Sequence, residues 1–283
     1  MERLIRHHLS ETDVRPGSTL RPIVRLELDR HGDIVAGVTL GRAEVFERQP
    51  LAYTLARWSF PAGDTATGAV VLSAGADPAL RCAPLYLDIN DSVHEDADDR
   101  CTIARDTGFE LAVERHRLAW VDTGQPLIVS HDLRFRTLAE VGRERVAEVM
   151  ASAATTTLDR SDRRGLTRQA PRDWADSFLR QDVQPADEKS WLLAESPEGE
   201  SAGVVGISAA GDSAVLCYLS VAYEHRGRGL GEQLAYAGYR AARERGLATV
   251  HAYVDAMNRP MIAALERSGA KAEEWHRRLF VRP

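Results

Sequence analysis

Arg226-Gly-Arg-Gly-Leu-Gly231 is the stretch of this 283-residue sequence whose residue types and spacing speak most directly of chemistry. Glycines at 227, 229 and 231 alternate with two arginines and a leucine. An apolar run, Val215 to Val221, precedes them, and Leu230, Leu234, Ala237 and Ala241 follow at helical spacing. The pattern predicts a buried strand, a short turn and a helix. Glycines at such a turn let backbone N–H groups approach a ligand, and arginine adds positive charge. No Ser, Thr, Asp or Asn stands at the helix start, so its first N–H groups need another acceptor. An anionic, phosphate-bearing ligand fits. Two other phosphate signatures do not. A Walker loop needs Gly-Lys-Ser/Thr after its glycines. A dinucleotide fingerprint needs Gly-x-Gly-x-x-Gly, and here Glu232 holds the last place.

The spacing Arg226-x-x-Gly229-x-Gly231 resembles the pyrophosphate-binding motif of the GNAT superfamily of acyl-CoA-dependent N-acyltransferases, Gln/Arg-x-x-Gly-x-Gly/Ala. Asn258-x-x-Met-x-x-Ala-Leu-Glu-Arg-Ser-Gly-Ala270 resembles a second family pattern, Asn-x-x-Ala-x-x-Leu-Tyr-x-Lys-x-Gly-Phe. Asn258 and Gly269 match it, while Leu265 stands in place of the tyrosine and Ala270 in place of the phenylalanine. The resemblance covers about residues 133 to 282. It implies acetyl-CoA as co-substrate and no metal. It sets Leu219, Ser220 and Val221 beside the pantetheine arm, with the Val221 N–H facing the thioester oxygen. Arg226, Gly227, Arg228, Gly229, Leu230, Gly231 and Glu232 would cradle the pyrophosphate, and Asn258 would fix the next loop.

Acyl transfer to an amine needs a free amine, a polarised carbonyl and a proton for the departing thiolate. Leu265 cannot supply that proton. On the strand before it, His251, Tyr253 and Asp255 alternate onto one face, a polar face for a central strand. Tyr253 is the candidate acid, and Asp255 a candidate to orient the amine. The plainer readings are a histidine near a strand start and an aspartate capping the next turn. Glu224, just before the glycine turn, is the candidate base acting through water, or else a surface carboxylate beside Arg226. Cys217 is not read as an acyl-bearing nucleophile, because a buried cysteine is ordinarily inert.

The elements that would position these residues follow in order. Gly124-Gln-Pro126 reads as a linker. Leu133 to Leu138 reads as a strand, Gly142 to Ala154 as a helix, and the polar Thr155 to Thr167 as a loop over the active site. Pro171 starts a helix, in the first-turn position proline tolerates. Trp191 to Glu195, Ala202 to Ala209 and Ala214 to Val221 read as three strands feeding the turn, Thr249 to Val254 as the next strand, and Met261 to Arg267 as a helix ended by Gly269. This is the GNAT order of elements. In the first half, Ile23 to Leu28 and Ile34 to Leu40 form a hairpin around Gly32, and Phe46 to Phe60 is open between helix and strand. Asp77-Pro78 breaks the chain. Pro84 to Asn90, Glu95 to Thr107 and Phe109 to Val121 then read as strand, helix and strand, similar in order to the closing portion of a GNAT domain but without a glycine turn. Residues 1–130 are read as a degenerate GNAT-like domain or another α+β domain, and residues 131–283 as the GNAT domain. The fold class is α/β (α+β), with a mixed, mostly antiparallel central sheet flanked by helices.

Composition closes off other classes. A net charge of −6 and a pI near 5.9 argue against a nucleic-acid binder. The Asn90 to Asp99 run has neither calcium-loop order nor zinc spacing, and reads as a solvated helix start. Cys82, Cys101 and Cys217 lack paired or metal-like spacing, which fits a reducing cytoplasm. Arg3, Arg6, His7 and His8 without an apolar core do not make a signal peptide, and no run reaches the ~18 apolar residues of a membrane helix. The expected partner is a small-molecule amine acceptor, with no nucleic acid and no membrane, and a homodimer is left open. Two functions remain: an acetyl-CoA-dependent N-acetyltransferase, or a non-catalytic acyl-CoA-binding or sensor protein with a degenerate active site.

Overall fold

The computed structural model describes residues 2–8, 20–30, 33–46, 49–75, 85–92, 94–129, 132–183 and 185–282. The turn at Gly32, the Asp77-Pro78 break, Cys82 and the proposed 130/131 junction lie outside them. The chain divides into two compact units, Met1–Glu114 with Trp275–Pro283, and Arg115–Glu274.

The first unit begins with an antiparallel meander of β1 (Glu2–His8), β2 (Leu20–Arg30), β3 (Asp33–Phe46) and β4 (Gln49–Ser59). Within the ambiguous Phe46 to Phe60 segment, Gln49–Ser59 is thus a strand, settled by its ladder with β3, which local pattern does not reveal. Helix α1 (Thr65–Gly75) leads to β5 (Leu85–Asn90), which pairs parallel with β4. Helix α2 (Ala97–Asp106) carries Asp98 and Asp99 in its first turn, where they complement the dipole. Gly108, at φ 85°, then turns the chain into β6 (Glu110–Val121). The core of this unit gathers Leu26, Leu28, Trp58, Val71, Leu72, Leu87, Ile89 and Ile103 around Phe280, which arrives from the far end of the chain.

The second unit contains β7 (Arg134–Thr137), α3 (Leu138–Val141), α4 (Arg143–Ala154), α5 (Arg160–Leu166), α6 (Pro171–Asp182), β8 (Trp191–Glu195), β9 (Ser201–Ala210), β10 (Ser213–Val221), α7 (Leu230–Glu244), β11 (Thr249–Asp255), α8 (Arg259–Arg267) and the start of β12 (Lys271–Arg282). Strands β7 to β10 pair antiparallel in sequence order, β10 pairs parallel with β11, and β11 pairs antiparallel with residues 115–121 of β6. Both faces of this sheet are covered, which explains why β8 is apolar at every position but its last. Leu192, Val205, Leu219, Val250 and Ala252 point to α7 and α8, together with Leu234 and Leu265. Trp191, Leu193, Val204 and Tyr218 point the other way, against Met150, Trp174 and Phe178 of α4 and α6.

One expectation is corrected here. The polar Thr155 to Thr167 segment is not simply a loop, because it contains α5. Asp159 caps that helix by accepting from the N–H groups of Ser161 and Asp162. No helix among the described residues is long and apolar enough to cross a membrane.

Candidate functional site

The glycine turn lies between β10 and α7. Tyr223–His225 make a short 3-10 turn, after which Gly227 and Gly229 take positive φ angles of 75° and 77° that side chains rarely adopt. A Cβ at either would meet nothing within 4 Å, so conformation is what calls for glycine there. Gly231 differs. It lies inside α7, where a Cβ would stand 3.1 Å from that of Ala264 on α8, so its bare backbone lets the two helices approach. Gly229 is the N-cap of α7 and offers no side-chain cap. The Glu232 N–H donates to the Gly229 carbonyl, and the N–H groups of residues 227–231 make no backbone hydrogen bond among the described residues. The bare helix start expected from the sequence is there.

Above the turn, β10 and β11 part. They pair only from Ala214↔Val250 to Leu216↔Ala252, and β10 bulges at Cys217 against β9. Leu219 and Val221 lean onto the α7 side, and Ser220 follows Tyr218 onto the opposite face. The Ser220 hydroxyl oxygen is buried and has no hydrogen-bond partner. A cleft edge with an orphaned hydroxyl, leading down to unused N–H groups, suits a chain of amides ending in a pyrophosphate. The residues present therefore fit coenzyme A.

The arginines behave differently from each other. Arg226, though exposed, lays its guanidinium on backbone carbonyls, donating from Nε to that of Val221 at 3.0 Å and from its other nitrogens to those of Ala153 at 3.2 Å and Thr156 at 3.3 Å. It staples the end of α4 to the end of β10. Arg228 is exposed. Glu232 accepts from the Tyr236 hydroxyl at 3.2 Å and lies 3.5 Å from Arg267. Asn258 is the N-cap of α8, its side-chain oxygen accepting from the Met261 N–H.

The candidate proton carriers are both exposed, Tyr253 on β11 (36 %) and Glu224 in the 3-10 turn. Leu265 is wholly buried. Asp255 is also fully buried, and its carboxylate is taken up by Arg160, through bidentate side-chain bonds of 2.8–3.1 Å and a backbone N–H at 2.8 Å, and by the Met257 N–H at 2.9 Å. Burial pushes this carboxyl up, but the hydrogen bonds from Arg160 and Met257 outweigh it and hold it below the usual range. Asp255 both caps the next turn and anchors α5. Sequence reasoning missed Arg160, Arg117 and Glu273. Arg115 bonds the capping Asp159 at 3.1 Å, and Arg117, two residues on, donates from Nε to Glu273. These contacts join residues up to 156 positions apart, and no local signal announces them.

Residues 155–270 match the Acetyltransferase (GNAT) family. The likeness to the GNAT family lies in this region, somewhat under half of the chain. It is similar to the mycothiol acetyltransferase of Corynebacterium glutamicum (strain R), 36 % identical over 86 residues, or 30 % of this chain and 25 % of that relative. The matched part thus spans a quarter of the relative's length. Among solved structures, the fold resembles a GCN5-related N-acetyltransferase from Sphaerobacter thermophilus (TM-score 0.62, 16 % identity, 91 % of this chain and 80 % of that one). It also resembles a tandem GNAT protein of the clavulanic acid biosynthesis pathway (TM-score 0.56, 14 % identity, 93 % and 83 %).

Proposed function

We propose that this protein is an acetyl-CoA-dependent N-acetyltransferase that transfers an acyl group directly to the amine of a small-molecule acceptor. The parting of β10 and β11 beside the bare N-terminus of α7 carries this reading. When bound, acetyl-CoA supplies an acyl group already activated as a thioester. The N–H groups of Gly227, Arg228, Gly229, Leu230 and Gly231 bind the pyrophosphate end, with Glu232 closing the first turn and Arg226 holding the turn against α4. Leu219, Ser220 and Val221 line the pantetheine arm, and Asn258 fixes the start of α8. Tyr253 holds a proton at its Oη for the leaving sulfur, and Glu224 reaches the amine through water.

The catalytic domain in this proposal is residues 131–283, with residues 1–130 a partial GNAT-like copy without a coenzyme A turn; the likeness to a tandem GNAT protein supports that division. The relative named for mycothiol supports a small acceptor. Cys101, a buried thiol, suits a cytoplasmic setting. A homodimer is compatible with this scheme.

One observation favours the second reading, a non-catalytic acyl-CoA-binding or sensor protein: wholly buried Leu265 stands where the family motif has tyrosine. Calorimetric titration with acetyl-CoA, followed by thiol release with a panel of amino sugars, amino acids and aminoglycosides, separates the two. Tight binding with no turnover of any amine would end the enzyme reading. Gly229→Trp should abolish acetyl-CoA binding while circular dichroism stays native. Retained binding would sink the turn assignment.

A further inference from the structure

Among the buried polar side-chain atoms of the second unit without a hydrogen bond is His251 Nδ1. Such an atom costs about 1–3 kcal/mol, which points to a bond completed at another stage of function. His251 lies one residue before Ala252, the last position of β11 paired with β10, and Tyr253 lies one residue after it. Imidazole and phenol therefore flank the point where the strands part, on the face turned away from α7 and α8. His251 Nδ1 is 3.6 Å from Glu273 Oε2, and that same oxygen accepts from Arg117 Nε. Arg117 in turn stands directly across from Tyr253 on β6. The Glu273 carboxylate is thus pinned by a cation on one side and faces an imidazole nitrogen on the other. At 3.6 Å the second contact is too long for a hydrogen bond, yet catalytic contacts commonly tighten when substrate binds. The imidazole is 23 % exposed, so part of the ring reaches solvent.

We propose, resting on the acetyltransferase reading, that His251 is the catalytic residue that takes the acceptor's proton, and that Glu273, held by Arg117, is the positioning residue that keeps the imidazole's own proton on Nδ1. Donation of Nδ1–H to Glu273 leaves the Nε2 lone pair unprotonated, the form a base needs. A neutral amine nitrogen bonds the acyl carbon and passes its surplus proton to His251 Nε2. The carbon–sulfur bond breaks with its electron pair on sulfur, which takes the Tyr253 Oη proton. His251 then returns its proton to the Tyr253 oxygen. One C–N bond replaces one C–S bond, and one S–H replaces one N–H. Among the described residues Glu224, exposed on the 3-10 turn, has no such partner set, so its water contact orders the amine and does not take its proton. The charged and titratable groups about His251 are Tyr253 on its own strand, Arg117 on β6, Glu273 on β12, and Cys217 on β10, two residues beyond Val215, which pairs with His251.

Histidine-selective 15N labelling of the full chain reads the geometry without any acceptor. Neutral His251 should be the Nδ1–H tautomer, and Glu273→Leu should abolish that preference. An Nε2–H tautomer in the native protein overturns the proposal. In turnover with the amine panel, His251→Asn should lower kcat by about 10²–10³-fold, with acetyl-CoA affinity by calorimetry within about twofold of native. The acidic limb of its kcat/KM profile should disappear. Glu273→Gln should lower kcat by roughly tenfold, and the control Glu274→Gln should not change it. A smaller loss in His251→Asn than in Glu224→Gln would also overturn the assignment. If the native protein binds acetyl-CoA but acetylates no amine, the acetyltransferase reading fails and the tautomer alone decides whether the pair is built as proposed.

Discussion

Arg160→Ala tests whether the buried Asp255 holds α5 against the end of β11. The substitution removes the guanidinium but leaves two backbone donors, the N–H groups of residue 160 and Met257. Removing one partner of a buried pair typically costs about 3–5 kcal/mol. Arg160 is 28 % exposed, so water already screens part of the attraction, and the surviving donors satisfy part of the carboxylate. We therefore expect about 2–3 kcal/mol, or roughly a 5–10 °C fall in Tm for a unit of this size. The pH dependence has a definite sign. In the native protein the Asp255 carboxyl is depressed, so its contribution is complete above the unfolded value of about 3.9 and is lost as pH falls through the lower folded value. In Arg160→Ala, burial acts with much less opposition and moves the folded value up. Protonation then relieves the variant, and the gap to native should narrow from pH 8 to pH 5. Thermal and urea melts of Arg160→Ala, Asp255→Asn and the double variant at both pH values measure this. The double variant should cost less than the sum of the singles by about 1–2 kcal/mol. A variant melting with the native protein, or a gap that widens toward acid, would refute the reasoning.

Gly206→Ala would drive a Cβ to within 2.3–2.5 Å of the Trp191 indole carbons across the β8–β9 ladder. Overpacking of that kind should cost about 3 kcal/mol, visible as a lowered urea midpoint. Ser220→Ala removes a hydroxyl that has no partner, so Tm should hold or rise, while calorimetry should show acetyl-CoA binding weakened by roughly fivefold, the worth of one hydrogen bond. Phe280→Ala empties a wholly buried site in the first unit's core and should cost about 3–5 kcal/mol, with faster hydrogen exchange at the β5 amides opposite it.

The strand, turn and helix around Gly229 were legible because each has a local cause: an apolar run, residues that tolerate positive φ, and apolar spacing near 3.6. The absence of a cap was equally readable. Three things were not. Helix α5 has only seven residues and little apolar periodicity; its end is fixed by Asp159 and by Arg160 reaching Asp255, 95 positions away. Arg226 read as charge for a phosphate, yet its guanidinium is spent on three carbonyls, a role that depends on where α4 ends. Strand β1 was missed because its identity comes from the ladder with β2.

The strand Phe109 to Val121 shows why the edges of a domain are hard to read from pattern alone. Alternation identified it as a strand, and its place in the chain suggested that it closes the first half. Period-two patterning does not say which neighbour accepts a strand's hydrogen bonds. In β6, residues 115–121 pair with β11, and the counterpart at the other end of the chain is β12, whose residues 277–282 pair with β5. The consequence for the site is direct. Leu118 and Trp120 pack into the core behind β11, with Trp120 stacked at 4.6 Å on Tyr239 of α7. Arg115 and Arg117, on the opposite face, bond the residue that caps α5 and the carboxylate beside His251. Arg115 and Arg117 of this strand therefore buttress the face of β11 that carries His251 and Tyr253. Residues 115–121, before the Gly124-Gln-Pro126 stretch, thus belong to the sheet that carries His251 and Tyr253.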